Sequence, residues 1–293
     1  MNGILLIDKE QGPTSFDVVY TVARKLNVKK VGHAGTLDPL ATGLLIIGVG
    51  KATKILTFLS LGYKKYDVCM VLGVSTDTYD IEGKILHHKK INISEEKIKE
   101  VLNSFVGEIE QAPPPFSAVK YKGKKLYEYA RRGEKVFTSP KKIKIYNIFF
   151  HFMKENKVYF SVRCSKGTYI RSLVNDIGEK LKTGATVESL RRTESYPFTI
   201  KDAVKFSHLD KKVSLISIDK ALSFLPSLLL RKGYKDKIKH GQRISPDFFV
   251  QKLGGNEWQD SFRKVWRVVD ENSHIYALIY YNGKEFLYHK VLY

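Results

Sequence analysis

Three short stretches carry side chains whose types and spacing suit chemistry. Residues 32–43 read GHAGTLDPLATG, with a lone carboxylate, Asp38, directly before a proline and glycine at both ends. A residue that precedes proline is pushed out of helical geometry, so Asp38 is expected on an extended loop. Its small neighbours Gly32, Ala34 and Gly35 allow another backbone to approach closely. The stretch has two readings, a display loop for a reactive carboxylate and a plain Asp–Pro turn. Residues 164–178, CSKGTYIRSLVNDIG, place Tyr169 and Arg171 at the mouth of a helix just after a glycine turn. Arg171 interrupts an apolar helical face, and a buried arginine there requires a carboxylate partner, in a structural ion pair or in a site. Residues 62–68, GYKKYDV, set Tyr66 among bases at the start of a strand. That position suits stacking on a nucleobase, and equally a half-buried strand residue.

Two other stretches imitate sites and fail on spacing. GLLIIGVGKAT (43–53) resembles a phosphate-binding loop, but the glycine required five residues before Gly50 is Leu45. TDTYDIEGK (76–84) offers Asp77, Asp80 and Glu82, yet Tyr79 occupies a position where a calcium loop needs Asp or Asn. Gly83 there reads as a hairpin turn. No metal site and no cofactor is expected. Cys69 and Cys164 are too few and too far apart for a disulfide framework or a zinc site, and both read as buried strand residues.

The elements that must position these residues follow from periodicity. GILLID (3–8) reads as a buried strand, followed by a turn and a helix capped at Thr14 or Ser15 through SFDVVYTVARKL. GLLIIGVG (43–50) is a buried strand, KATKILTFL (51–59) is helical, and KKYDVCMVLGV (64–74) is a strand. SEEKIKEVLNSFVG (94–107) has a serine cap, acids in its first turn and a closing glycine, and reads as a helix. Residues 108–140, with three consecutive prolines, many bases and several tyrosines, read as a long arm with a short helix. KVYFSVRCS (157–165) is a strand, and TYIRSLVNDIGEKL is a helix with the face Ile170, Leu173, Val174, Ile177 and Leu181. From about residue 229 the chain is basic, aromatic and strand-rich, as in a small separate β domain.

Composition narrows the partner. The 293 residues are 43% hydrophobic and 12% aromatic, which is globular and more than one average domain holds. Fifty Lys and Arg against 30 Asp and Glu give a formal charge of +20, which attracts a polyanion such as a nucleic acid. The first apolar stretch is shorter than a signal-peptide core, and no run is long enough to span a membrane, so a cytoplasmic protein is expected.

GHAGTLDPLATGLL, KKYDV with TDTYDIEG, and CSKGTYIRSLVNDIG followed by ESLRRTESYPF resemble, in the same order, the motifs of the TruB family of tRNA pseudouridine synthases. DKEQGPTSFDVV resembles the family's N-terminal signature, and the likeness runs over roughly residues 3 to 200. The C-terminal segment resembles a PUA domain, although VVDENSHIYALIYY lacks the glycine usual between the last barrel strands. The resemblance implies an α+β pseudouridine-synthase fold, with a mixed, mainly antiparallel sheet flanked by helices. Residues 1–228 would form the catalytic domain, with an RNA-clamping insertion at about 108–140. Residues 229–293 would form a small β-barrel-like PUA domain.

It also implies an activity: the T-loop uridine at position 55 of tRNA becomes pseudouridine, an isomerisation that needs no cofactor. By resemblance Asp38 is the essential carboxylate, Arg171 its counter-charge, and Asp80 a carboxylate that positions the arginine. Tyr66 stacks on the target base, Leu190 forms an apolar wall, and His33 fills the space that the flipped base leaves in the RNA. Tyr169, Lys9 and Lys65 fall at the motifs' substrate-binding positions. The implied partner is the tRNA T arm, gripped by the 112–135 arm, with the PUA-like domain towards the acceptor end. No membrane and no obligate protein partner is implied. Two alternatives remain: a guide-RNA-dependent relative with the same motifs, and a non-catalytic RNA-binding protein or tRNA chaperone.

Overall fold

The computed structural model describes residues 1–210, 212–253 and 265–292. Strand β1 (Gly3–Lys9) leads into helix α1 (Ser15–Leu26), which starts at a capping box. Thr14 Oγ1 accepts the Asp17 N–H at 3.1 Å, and the Asp17 carboxylate accepts the Thr14 N–H at 2.8 Å. Of the two caps expected, Thr14 is the one used. Strands β2 (Val31–Ala34) and β3 (Thr42–Val49) bracket the Asp38 loop. The stretch after β3, expected to be a single helix, is a 3₁₀ segment (Gly50–Ile55) running into a short helix α2 (Leu56–Leu59). The tighter winding puts the buried Ala52 and Ile55, three residues apart, on the same side.

Strand β4 (Lys64–Leu72) precedes the hairpin β5 (Val74–Thr76) and β6 (Ile85–His88). Its turn includes Gly83, whose N–H donates to Asp80 O at 3.2 Å. Helix α3 (Glu95–Asn103) is capped by Ser94 and ends four residues short of the expected Gly107. Ser104 Oγ bonds back to Val101 O at 2.7 Å, and Gly107 takes a positive φ of 120°, so the chain leaves the helix there. Strand β7 (Gly107–Gln111) follows, then a hairpin β8 (Lys120–Tyr121) and β9 (Lys124–Lys125), and helix α4 (Leu126–Ala130). The arm thus begins only after Gln111, and residues 107–111 belong to a sheet.

Two long strands, β10 (Lys141–Lys154) and β11 (Lys157–Cys164), precede helix α5 (Ile170–Lys180) and strand β12 (Ala185–Ser195). Beyond them come β13 (Phe198–Thr199), β14 (Val204–Lys205), α6 (Ile218–Ala221), β15 (Ser227–Leu230) and α7 (Lys235–Lys239). The last strands are β16 (Phe249–Leu253), β17 (Val265–Val269), β18 (Ile275–Tyr281) and β19 (Phe286–Val291).

The chain divides into two compact units. One comprises Met1–Leu37, Leu44–Gly62 and Tyr196–Tyr293; the other comprises Asp38–Gly43 and Tyr63–Ser195. The second unit holds an antiparallel sheet in the order β12–β4–β11–β10–β7. Thr42 and Gly43 join its edge in parallel with Arg191 and Arg192 of β12. In the first unit β1 pairs with β14 in parallel, and β2 pairs with β3 antiparallel. Its C-terminal strands form a five-stranded sheet, β16–β15–β17–β18–β19. Val265, Val269, Ile275 and Leu278 from that sheet share a core with Ile4, Leu6, Leu44 and Ile46. Leu228, Val268, Ala277 and Ile279 face a second core with Ile238, Ile244 and Phe248. The mixed, mainly antiparallel α+β fold agrees with expectation. The barrel-like closure does not appear: among the described residues the C-terminal sheet is open, with β16 and β19 at its ends. Residues 254–264 and 293 of the PUA-like segment lie outside the described residues.

Candidate active site

Asp38 opens a turn, with its carbonyl accepting the Ala41 N–H at 3.1 Å. The chain just before it is held by a buried hydroxyl: Ser15 Oγ accepts the Leu37 N–H at 2.8 Å and donates to Leu37 O at 3.0 Å. Arg171, in the first turn of α5, reaches Asp38 with Nε, 2.9 Å from Oδ2. That contact is an ion pair set at an angle, outside hydrogen-bond geometry. The rest of the guanidinium is fixed. Nη1 donates to Thr78 O at 3.0 Å and lies 3.4 Å from Asp80 Oδ2, while Nη2 donates to Phe116 O at 3.0 Å. Asp80 is fixed in turn, its Oδ1 accepting from Thr78 Oγ1 at 2.7 Å and from the Glu82 N–H at 3.2 Å.

The exposure of the three side chains separates their functions. Arg171 and Asp80 are 7% and 8% exposed, whereas Asp38 is 39% exposed. One carboxylate is consumed in holding the arginine; the other is charge-paired and still open to a ligand. Such a carboxylate, beside a fixed cation, can act as nucleophile or base.

Tyr66 lies on β4 opposite Val162 of β11 and Arg192 of β12, and it is buried. Burial pushes its phenol above the usual range against the pull of the Arg192 guanidinium, with the Asp38 charge adding a smaller upward push. Tyr169, immediately before α5, behaves alike: burial and then the Asp38 charge raise its phenol, and Arg171 opposes them. Leu190 pairs with Val68 on β4, so by strand alternation it shares a face with Arg192, Tyr66 and Val68. The second unit therefore brings together Asp38, Arg171, Asp80, Tyr66, Tyr169 and Leu190.

Residues 23–170 match the family model for TruB family pseudouridylate synthase (N terminal domain). Residues 171–230 match that for the tRNA pseudouridylate synthase B C-terminal domain. The chain belongs to the TruB family. It is 40% identical over 297 residues to a tRNA pseudouridine synthase B of Clostridium perfringens strain SM101, covering 100% of this chain and 99% of the relative. A Thermotoga maritima protein of the same name is 42% identical over 282 residues, covering 94% and 89%. Among solved structures, an H/ACA ribonucleoprotein bound to a substrate RNA containing 2′-deoxyuridine aligns with a TM-score of 0.76 at 24% identity. That alignment covers 99% of this chain and 85% of the other. An archaeal box H/ACA complex gives 0.75 at 24%, covering 99% and 86%. These last two show the shared fold.

The remaining expected residues are His33, Lys9 and Lys65. His33, on β2 opposite Ile47, belongs to the first unit. Lys9 is in that unit as well and is fully buried; its ammonium donates to Glu10 O at 2.9 Å and Pro13 O at 2.8 Å, which holds the turn before α1. Lys65 follows Lys64 and precedes Tyr66 on β4, so it points to the opposite face of the sheet, where it is 3.8 Å from Glu194. Lys64 is the lysine on Tyr66's face. It is buried, and burial followed by the Arg192 charge lowers its ammonium to about 8.

Several residues that hold these positions carried no chemical signal in the sequence. Ser15 grips the residue before Asp38. Gln111 is buried and hydrogen-bonds both backbone groups of Tyr169. Arg192 is buried opposite Tyr66, and only the doubled arginine in ESLRRT hinted that an alternating strand would turn one of the pair inward. In TDTYDIEGK the structure separates the acids that imitated a calcium loop. Asp80 faces Arg171, while Asp77 Oδ1 accepts the Lys84 N–H at 2.8 Å.

Proposed function

We propose that this chain is a stand-alone tRNA pseudouridine synthase that isomerises the T-loop uridine at position 55. The observation that carries the reading is the open Asp38 carboxylate paired to a buried Arg171 that also meets Asp80, Thr78 O and Phe116 O, in a chain of the TruB family. Full-length relatives named tRNA pseudouridine synthase B support tRNA as the substrate and favour it over a guide-RNA-dependent or purely binding role.

In the reaction the N1–C1′ bond breaks with its electron pair leaving on the uracil. The uracil turns, C5 joins C1′, the C5 proton departs and N1 takes up a proton, so atoms and charge balance with no other reactant. Asp38 is the catalytic carboxylate, acting either by attack of an oxygen on the sugar or base or by removal of a ribose proton to give a glycal. Both routes use the carboxylate as an anion, and Arg171 stands beside it at 2.9 Å. The target base must leave its stack to reach it. Tyr66 offers the aromatic platform, its phenol pushed up by burial, and Leu190 the apolar wall. His33 occupies the place vacated in the RNA. Tyr169 borders the carboxylate, and Lys9 acts by shaping the entry to α1.

The basic, tyrosine-rich arm at 112–135 clamps the T arm, and the C-terminal module, residues 229–293, faces the acceptor end. No described helix is long and apolar enough to cross a membrane, and a cytoplasmic location suits the substrate. The test is to incubate an unmodified tRNA transcript with the purified chain alone and map the product. Pseudouridine at the T-loop site is expected. No product, or product only after a guide RNA is added, would contradict the reading.

A further inference from the structure

The root of the arm is bonded to the first turn of α5 at three successive points. Gln111, the last residue of β7, accepts the Tyr169 N–H at 2.8 Å and donates to Tyr169 O at 3.1 Å. Ser172 Oγ donates to Ala112 O at 2.8 Å, and Arg171 Nη2 donates to Phe116 O at 3.0 Å. Residues 111, 112 and 116 thereby hold 169, 172 and 171. Gln111 is buried, so its amide has no water with which to replace either bond, and each half must stay paired with Tyr169 or go unsatisfied. A buried side chain that pairs with both backbone groups of one residue fixes that residue as a neighbouring strand would. Here it fixes the entry of the helix whose first turn aims Arg171 at Asp38.

Beyond this root the chain carries Lys120, Lys122, Lys124, Lys125, Arg131 and Arg132, interleaved with Tyr121, Tyr127 and Tyr129. We propose that Gln111, Ala112 and Phe116 form a latch that ties the RNA-gripping arm to the Arg171–Asp38 pair, with Gln111 as its positioning residue. The latch rests on the function proposed above. The arm that holds the substrate and the guanidinium that holds the carboxylate then share one anchor, and a shift of the root removes a hydrogen bond from Arg171 directly.

The experiment is a double-mutant cycle read by single-turnover pseudouridine formation at saturating enzyme, with tRNA affinity and thermal midpoint measured in parallel. Gln111→Leu is expected to slow the single-turnover step by about 10- to 100-fold, because small misplacements at a reacting centre have effects of that order. Its tRNA affinity should change by less than about threefold, the mark of positioning over binding. Gln111→Glu, which keeps the acceptor for the Tyr169 N–H, should recover part of the rate. In an Arg171→Lys background, Gln111→Leu should cost less than about threefold more, since the two act as a unit. An unchanged rate for Gln111→Leu, or the same fold loss in both backgrounds, overturns the latch. If Gln111→Leu does not fold, Ser172→Ala enters the same cycle with the same two outcomes. A wild type that forms no pseudouridine overturns the proposed function itself, whereas an active wild type with an unaffected Gln111→Leu overturns the latch alone.

Discussion

Asp38 and Asp80 share one guanidinium, and the difference in their surroundings sets what each can do. Asp80 accepts hydrogen bonds from Thr78 and from the Glu82 backbone as well as facing Arg171, so it acts as a fixed strut. Asp80→Asn keeps that shape and removes the charge. It is expected to lower stability by about 1–3 kcal/mol, as for a lost charged partner at a buried site, and to slow pseudouridine formation. Thermal unfolding and single-turnover rates check this together. Lys64 provides a pH test on the Tyr66 face. Burial lowers its folded value to about 8 from an ordinary 10.5, so between these values the unfolded chain binds the proton that the folded chain has released. Stability from this group therefore rises as pH goes from about 8 to 10.5, and its penalty is fully present below 8. The thermal midpoint of Lys64→Met relative to wild type should be highest near pH 7 and fall steadily across that window; a difference independent of pH would contradict the buried ammonium. The sequence offered Asp38, Arg171 and Tyr66 as candidates with structural readings beside them, and the family resemblance singled them out and added Asp80. It could not distinguish Lys64 from Lys65, because two adjacent lysines read alike until strand register puts them on opposite faces. Gln111 was missed because an amide that pairs with a backbone leaves no pattern in its own neighbourhood.

The Asp38 loop is only as well placed as the elements at its two ends. At its start Ser15, the first residue of α1, grips Leu37 through both backbone groups. At its end Gly43 takes φ +99° and pairs with Arg192. A methyl on Gly43 would press into the Arg192 backbone carbonyl, and a left-handed φ strains any residue with a side chain. Gly43→Ala is expected to destabilise by about 1–3 kcal/mol or more and to slow the reaction with it. Equal stability and activity would show that the β3–β12 junction does not set the loop. Elements with a local code were legible: α1 from its capping box, and β1, β3 and β11 from apolar runs. Those settled by geometry beyond the window were not. The 3₁₀ segment after β3 and the early end of α3 depend on side chains that bond back to the chain, Thr53 Oγ1 to Gly50 O and Ser104 Oγ to Val101 O. Strand β10 was not read from the sequence, and register shifts at Ile145/Asn147 and Phe150/Phe152 break its alternation.

For the molecule as a whole, charge and long-range pairing dominate. A chain of +20 that grips a phosphate backbone should lose tRNA affinity steeply with salt, with a log–log slope of about −0.7 to −0.9 per neutralised phosphate. Replacing Lys122 and Lys124 of the arm by alanine should flatten that slope by roughly one to two, measured by filter binding across ionic strengths. An unchanged slope would remove the arm from the binding surface. The α+β class and the order of the motifs could be read from the sequence. The division into two units could not, because residues 38–43 join a body whose other members begin at residue 63. The C-terminal strands were foreseen, but not that Val265 and Ile275 share a core with Ile4 and Leu44, a contact that spans the chain. All of this serves one claim, that the folded chain presents Asp38 to a flipped uridine of tRNA. The most direct test compares wild type with Asp38→Ala on an unmodified tRNA transcript, scoring pseudouridine at the T-loop site and tRNA affinity in parallel. The account predicts that pseudouridine formation is abolished and affinity stays within about threefold, as for a group acting on the reacting atoms and not in binding. Turnover of Asp38→Ala at near the wild-type rate would contradict it.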